Sequence, residues 1–176
     1  MSPAATVNSR LEAEVIRDAM LAVSGQLDET MFGPGTLDQG MKRRSIYFMI
    51  KRSKLIPMMQ LFDQPEPLVS QGDRPATTIA PQALMFMNNP HVRSYAQSLA
   101  KQLTEDSAES MEDAVTEAYL RALSRRPSES ELADNVAFIE SQSASYKNDG
   151  KSNAAELALT DFCQVLFSLN EFVFVE

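Results

Sequence analysis

The chain has 176 residues, of which 44% are hydrophobic, and this suits one domain with a substantial core. Lys and Arg number 16 against 24 Asp and Glu, so the formal net charge of −8 argues against the broad basic face that general nucleic-acid binding needs. No apolar run reaches the roughly 18 residues of a membrane span. The single cysteine excludes an intrachain disulfide.

The N-terminal part of the chain predicts one helix followed by a long loop. Residues 1–9 are mostly small and polar, and we expect them to be disordered. Ser9 is placed to cap a helix from Arg10 to about Val23, and residues 26–42 lack any helix or strand period. One flank of the predicted helix carries Arg10, Glu14, Arg17 and Asp18. This flank is either a solvated, mutually paired face or a face turned toward the basic residues of the next segment.

An apolar run with cations at both ends lies near the middle of the N-terminal half. The run from Ile46 to Ile50 is flanked by Arg43-Arg44 and by Lys51-Arg52. So short a run is either a buried strand or about one and a half turns of buried helix. Its aromatic and β-branched content favours the strand. A short helix is predicted to begin near Pro57, because proline fits the first helical turn.

The rest of the chain predicts helices joined by polar segments. The predicted helices cover about 81–88, 91–103, 111–124, 128–140 and 154–169. Ser128 and Glu131 form a capping box, whereas the polar residues 141–153 predict a loop. The last helix is apolar nearly all round, which is typical of a helix in the middle of a bundle. Residues 172–175 are strand-like and are candidates to pair with residues 46–50.

These elements predict a mainly α fold, a helical bundle of about six helices with a minor strand element. Residues 10–103 form an N-terminal half that contains the basic and apolar stretch. Residues 104–176 add a helical hairpin and the buried last helix within the same domain.

Residue types that carry catalysis or hold cofactors are scarce in this chain. Cys163 is followed by Gln164, so the C-x-x-C-H pattern of covalently bound haem is absent. One histidine, His91, and one cysteine fall short of a zinc site. Cys163 lies in the most apolar helix, where an inert core thiol is expected. We therefore predict no catalytic motif, no metal site and no cofactor in this chain.

The cations around the apolar run are the best candidates for a binding site. The candidate ligand-binding residues are Arg43, Arg44, Tyr47, Lys51, Arg52, Asp63 and Arg74. Because unpaired buried charge is costly, these cations are either paired within the protein, with Glu14, Asp18 and Asp63 as partners, or they hold an anionic ligand such as a sulfate or a uronate. We favour pairing within the protein.

Several motifs follow one another in order along the chain. They are RLEAEVIRDAMLAVSGQLD at 10–28, RRSIY at 43–47, Phe62-Asp63 with Pro65, PQAL at 81–84 with Asn88 and Pro90, AYLRAL at 118–123 before Arg126-Pro127, and LNEFV at 169–173. This ordered series resembles the C-terminal domain of the planctomycete cytochrome-c-associated proteins, a domain family of unknown function. The resemblance covers the chain from about residue 9 to its end.

The resemblance implies an exported multidomain bacterial protein in which haem would lie in a separate domain. The N-terminus lacks signal-peptide features, so the protein is either cytoplasmic or an excised domain with an added start, and the resemblance favours an excised domain of a periplasmic or otherwise exported protein. The resemblance carries over no catalytic residue. Our first hypothesis is a structural or domain-docking module whose partners are other domains of the same polypeptide. The alternative is binding of an anionic carbohydrate, or a part in a haem-linked oxidoreductase that acts on polysaccharide.

Overall fold

The computed structural model describes residues 9–51, 53–65, 77, 79–106 and 110–175, and in these ranges the chain is a mainly α-helical bundle with a minor strand element. The helices are α1 (Ala13–Val23), α2 (Pro57–Leu61), α3 (Ala80–Asn88), α4 (Pro90–Asp106), α5 (Met111–Leu123), α6 (Glu129–Asn148), α7 (Ala154–Ser168) and α8 (Asn170–Val173). The strands β1 (Ser9–Arg10) and β2 (Phe174–Val175) form a two-stranded antiparallel sheet. Disorder was predicted for residues 1–9; residues 1–8 lie outside the described ranges, and Ser9 is in strand β1.

Helix α7 forms the centre of the bundle. It packs against α3, α4, α5, α6 and α8, and its side chains Phe162, Cys163 and Phe167 are fully buried. The Phe162 ring stacks on Tyr119 of α5 with 6.5 Å between ring centroids. The prediction that the nearly all-apolar last helix lies in the middle of the bundle is therefore confirmed.

Three helix starts follow the local signals in the sequence. The Ser128 hydroxyl accepts a hydrogen bond from the Glu131 backbone N–H at 3.3 Å, and the Glu131 carboxylate accepts one from the Ser128 N–H at 2.8 Å. This is the reciprocal arrangement of a capping box. Proline occupies the first turn of α2 and of α3, where its missing N–H costs nothing.

The predicted helix start at Arg10 is wrong, because Ser9 and Arg10 are in strand β1 and α1 begins at Ala13. Arg10 pairs with Phe174 of β2, and the Leu11 N–H donates to the Val173 carbonyl at 2.8 Å. The backbone N–H and C=O groups here are thus satisfied by the other end of the chain rather than by a first helical turn. For the same reason the predicted pairing of residues 172–175 with residues 46–50 is wrong.

The run from Ile46 to Ile50 is not a buried strand. Residues 45–47 form a 3₁₀ turn, and Ile46 and Ile50 are 75% and 68% exposed. The core beside α1 is filled instead by the side chains that follow the run, namely Ile56, Met59 and Phe62. The run therefore stays at the surface, although its composition is that of a core segment.

The polar segment 141–153, predicted as a loop, is helical as far as Asn148. Helix α6 packs along α7, and the Tyr146 hydroxyl donates to the Asp161 carboxylate of α7 at 2.8 Å. Docking on the central helix thus outweighs the modest helix propensity of the serines and asparagine. None of the described helices is both long and apolar enough to cross a membrane.

Arg125 fastens the turn between α5 and α6 to α8. Its guanidinium donates two hydrogen bonds to the Glu131 carboxylate, at 2.7 and 2.9 Å, and two to Glu171, at 2.6 and 2.8 Å. The hydrogen bonds from Arg125, with further ones from Ser128, lower the pKa of Glu131 to about 2. Glu171 is held in the same way, and the Arg125 hydrogen bonds lower its pKa as well.

Phe162→Ala should destabilise the fold by about 3–5 kcal/mol, because the substitution removes a fully buried ring and leaves a cavity. Chemical denaturation followed by circular dichroism measures the loss. Val165→Ala, on the exposed side of the same helix, is the control and should change the free energy of unfolding by less than about 0.5 kcal/mol. Equal losses in the two variants would contradict the central position of α7.

Acid should weaken the Arg125 cluster. Since the pKa of Glu131 is lower in the folded state, its contribution to stability is complete above a pH of about 4.5 and is lost as the pH falls toward about 2. Urea unfolding across this interval should therefore show a steeper fall in stability for the natural chain than for Arg125→Gln. Identical slopes would show that the cluster does not contribute to folding.

Candidate functional site

Arg17 of α1 is the buried anchor of the segment that contains the candidate site. Its side chain is nearly inaccessible to solvent, with 2% of the residue exposed. The guanidinium donates to the carbonyls of Met41 and Arg43, the latter at 3.0 Å, and to the Ser45 hydroxyl at 3.1 Å. It also lies over the Phe48 ring, 4.6 Å from the centroid. Burial lowers the pKa of Arg17, but an arginine stays charged, so these acceptors compensate a buried cation.

Asp18, the next residue on α1, holds the start of the same segment. Its carboxylate accepts from the Ser45 backbone N–H at 2.8 Å and from the Ser45 hydroxyl at 2.7 Å. Arg44 approaches it to 3.8 Å but remains 66% exposed on its side chain. Arg17 and Asp18 therefore belong to a face turned toward the basic segment, and the interpretation of the α1 flank as a solvated face is wrong for these two residues.

Arg43 organises the preceding loop from within. Its guanidinium donates to the carbonyls of Thr30 at 3.1 Å and Pro34 at 3.4 Å, and also to that of Phe32. It lies 3.5 Å from the centroid of the Tyr47 ring, whose hydroxyl accepts from the Phe32 N–H at 2.7 Å. Arg43 and Tyr47, both predicted ligand-binding residues, thus hold loop carbonyls and amides in place.

Asp63 is engaged at a different place, beside the two-stranded sheet. It forms an ion pair with Arg10 at 2.7 Å and accepts from the Thr77 N–H and hydroxyl, each at 2.8 Å. Burial raises the pKa of Asp63, but the hydrogen bonds from Thr77 and Arg10 outweigh it and hold the pKa below its ordinary value. Asp63 has a left-handed backbone conformation, with φ of 61°, which turns the chain after α2.

The predicted ligand-binding residues do not converge on one pocket. Arg43, Tyr47 and Asp63 are engaged by protein groups in two separate networks. Arg44 and Lys51 are exposed to solvent. Arg52 and Arg74 lie outside the described residues.

An open groove of about 690 Å³ runs between α1 and residues 44–50. Its apolar walls are formed by Val15, Ala19, Leu27, Ile46, Phe48 and Ile50. Glu12, Glu14, Asp18 and Arg44 lie among the polar lining residues. Because Val15, Ile46 and Ile50 are all well exposed, the groove presents a partly apolar surface to solvent.

Cys163 is fully buried in α7, and burial raises the pKa of its thiol, as expected of an inert core cysteine. His91 lies half-buried at the start of α4, where its backbone N–H donates to the Asn89 side chain at 2.8 Å. Within the described ranges, no group of three or more His, Cys, Asp or Glu side chains is arranged to hold a metal ion.

Sequence reasoning missed the role of Arg17. The signal was its position among the apolar residues of α1, one turn after Ala13 and one turn before Met20 and Leu21, all of which are buried. A cation on the buried stripe of a helix needs several acceptors. The loop carbonyls supply these acceptors, and no pattern in the loop sequence indicates that they would.

Arg17→Met should loosen residues 28–48, because the loop carbonyls lose a buried charged donor. We expect a loss on the order of 3 kcal/mol in local stability, or amide hydrogen exchange about a hundredfold faster in this segment. Hydrogen–deuterium exchange with mass spectrometry measures the effect. Arg44→Met, a substitution of the neighbouring exposed arginine, is the control and should leave exchange nearly unchanged. Similar exchange in both variants would contradict the anchoring role.

Residues 3–139 match the PSD1 family, described as "Protein of unknown function (DUF1553)". No curated protein and no solved structure matches the chain significantly. The family match spans well over half of the sequence and includes α1, the basic segment and the helices through the first half of α6. The chain therefore belongs to the DUF1553 family of proteins of unknown function.

Proposed function

We propose that this chain is a domain-docking module of a larger polypeptide and that the groove beside α1 is its docking surface. The observation that carries the proposal is the exposure of Ile46, Met49 and Ile50 in a run whose composition is that of a protein core. Large contiguous apolar patches on the surface of a soluble domain usually mark interaction sites.

The groove is formed by a segment that is fixed in the isolated chain. Arg17 and Asp18 hold Ser45 from the α1 side, and Arg43 ties residues 30–34 to the same segment. A surface ordered before binding loses less conformational entropy when a partner docks. The arginine networks thus favour a preformed docking face over a flexible loop.

The occupant that we propose is an apolar segment of a neighbouring domain of the same polypeptide. The resemblance to the C-terminal domain of planctomycete cytochrome-c-associated proteins supports this choice, because a haem-bearing domain and another domain commonly precede it there. On this proposal the protein is exported, and haem, if present, belongs to the other domain. Cys163 lies in the core without a C-x-x-C-H context, which agrees with that division.

Binding of an anionic carbohydrate, the alternative function, has less support from the geometry. Arg43, Tyr47 and Asp63 would have to give up their present partners before they could contact a sugar. A part in the haem-linked oxidation of a polysaccharide would use the same residues to bind the sugar, so the same geometry speaks against it. We therefore keep the docking module as the proposed function.

Site-specific thiol labelling tests the docking surface. Val15→Cys places a thiol in the groove, and the native Cys163 does not interfere because it is fully buried. Its reaction with a maleimide, followed by peptide mass spectrometry, should be at least about tenfold slower in the longer polypeptide than in the isolated chain, since a docked segment would exclude the reagent. Leu84→Cys, an exposed position on α3, is the control and should react equally in both. Equal rates for Val15→Cys would refute the proposal.

A further inference from the structure

The positive charge of this acidic protein is concentrated in one short segment. Of the 16 Lys and Arg residues, six lie between residues 42 and 54, and no Asp or Glu occurs between residues 39 and 62. The Arg43 guanidinium is engaged in hydrogen bonds to loop carbonyls, whereas Lys42, Lys51 and Lys54 are exposed. The surface of this segment therefore differs in sign from the rest of the molecule.

The backbone holds two of these lysines next to each other. Lys51 and Lys54 face each other across an isolated antiparallel bridge, and the Lys54 N–H donates to the Lys51 carbonyl at 3.0 Å. Neither lysine forms an ion pair with a carboxylate of the described residues, in contrast to Lys101, which lies 3.7 Å from Glu105. Like charges directly opposite each other are unfavourable unless an anion neutralises them.

Large apolar side chains precede this turn and are exposed as well. Met49 and Ile50 are 49% and 68% exposed, immediately before Lys51 in the chain. Exposed aliphatic side chains beside lysines are typical of protein surfaces that meet a lipid bilayer, where the apolar groups enter the interface and the long lysine side chains reach the headgroups.

We propose that the Lys51–Lys54 turn, together with Met49 and Ile50, binds the surface of an anionic lipid bilayer. This inference does not rest on the docking function, because Met49 and the two lysines lie outside the groove beside α1, and Ile50 is the one residue that the two surfaces share. The shared chemistry is recognition of phosphate-bearing headgroups by the ammonium groups of two exposed lysines carried by one turn.

An extended surface fits this site better than an enclosed ligand. The cleft between the turn and residues 48–50 holds only about 20 Å³, which is room for roughly one water molecule and too little for a sugar or another small organic ligand. Lysine acts as a point charge, whereas arginine is better suited to bind a single carboxylate or sulfate group through two parallel hydrogen bonds. Arg43, an arginine of this segment, is already engaged by loop carbonyls.

The net charge of −8 does not prevent this contact. At physiological ionic strength the Debye length is about 8 Å, so carboxylates farther away contribute little repulsion at the bilayer surface. The acidic remainder would instead orient the molecule, because only the face that carries the lysine turn is attracted to anionic headgroups.

Vesicle co-sedimentation tests the proposal on the intact chain. The probes are vesicles of pure phosphatidylcholine and of an equal mixture of phosphatidylcholine and phosphatidylglycerol. The natural chain should bind the mixed vesicles and not the neutral ones. The double variant Lys51→Glu with Lys54→Glu should bind on the order of thirtyfold more weakly, because each surface cation contributes roughly fivefold to affinity for an anionic membrane.

A matched control separates a local site from overall charge. Lys147→Glu with Lys151→Glu makes the same change in net charge at the end of α6, where both lysines are exposed, and should alter binding by less than about twofold. Thermal melting confirms that each variant is folded, and the corresponding glutamine pairs repeat the comparison if a glutamate pair unfolds. Ile50→Asp should also weaken binding, since it removes the apolar contact.

Four outcomes would overturn the proposal. The first is equal affinity for neutral and mixed vesicles, and the second is an equal loss in the two lysine pairs. The third is full competition by inorganic phosphate that replaces chloride at constant ionic strength. That result would assign the turn to a free anion. The fourth is no binding to mixed vesicles, and binding to immobilised polyglutamate in that case would assign the surface to an acidic polypeptide.

Discussion

The buried guanidinium of Arg17 is the interaction on which the surface of this domain depends. One side chain from the first helix supplies hydrogen bonds to carbonyls that belong to no helix or strand. It acts together with Asp18 on the same helix, which holds the Ser45 amide, and with Arg43 inside the segment, which holds the carbonyls of residues 30–34. An arginine is well suited to this position, because its planar guanidinium carries five N–H donors. It also stays charged when buried, so its burial requires several acceptors.

The molecule therefore combines two kinds of order. Around α7 the side chains are packed in apolar contact, and the helix partners are set by which faces are apolar. Around Arg17 and Arg43 the order comes from charged donors that collect main-chain carbonyls. The first kind makes the bundle stable, and the second gives the irregular segment a defined shape that a partner can recognise.

Much of the bundle could be predicted from the sequence, because its signals are local. Ser128 and Glu131 mark a helix start, the prolines mark two others, and the apolar α7 can only be central. The failures were nonlocal. Whether Ile46 to Ile50 would be buried depended on which other side chains reached the core beside α1, and the partner of Arg10 is more than fifty residues away. The candidate site was hard to predict for the same reason. The sequence locates the cations but does not show which of them donate hydrogen bonds to loop carbonyls.

The small sheet has a consequence for how this domain is joined to others. Ser9 and Val175 are direct neighbours on β1 and β2, so the first and last elements of the described chain run side by side in opposite directions. Strands paired in this way are about 5 Å apart. Polypeptide attached before β1 and after β2 would therefore start from the same point of the surface. The domain could be inserted as a self-contained unit into a loop of another protein, or have its ends joined by a short linker and be opened elsewhere, with little change to the core.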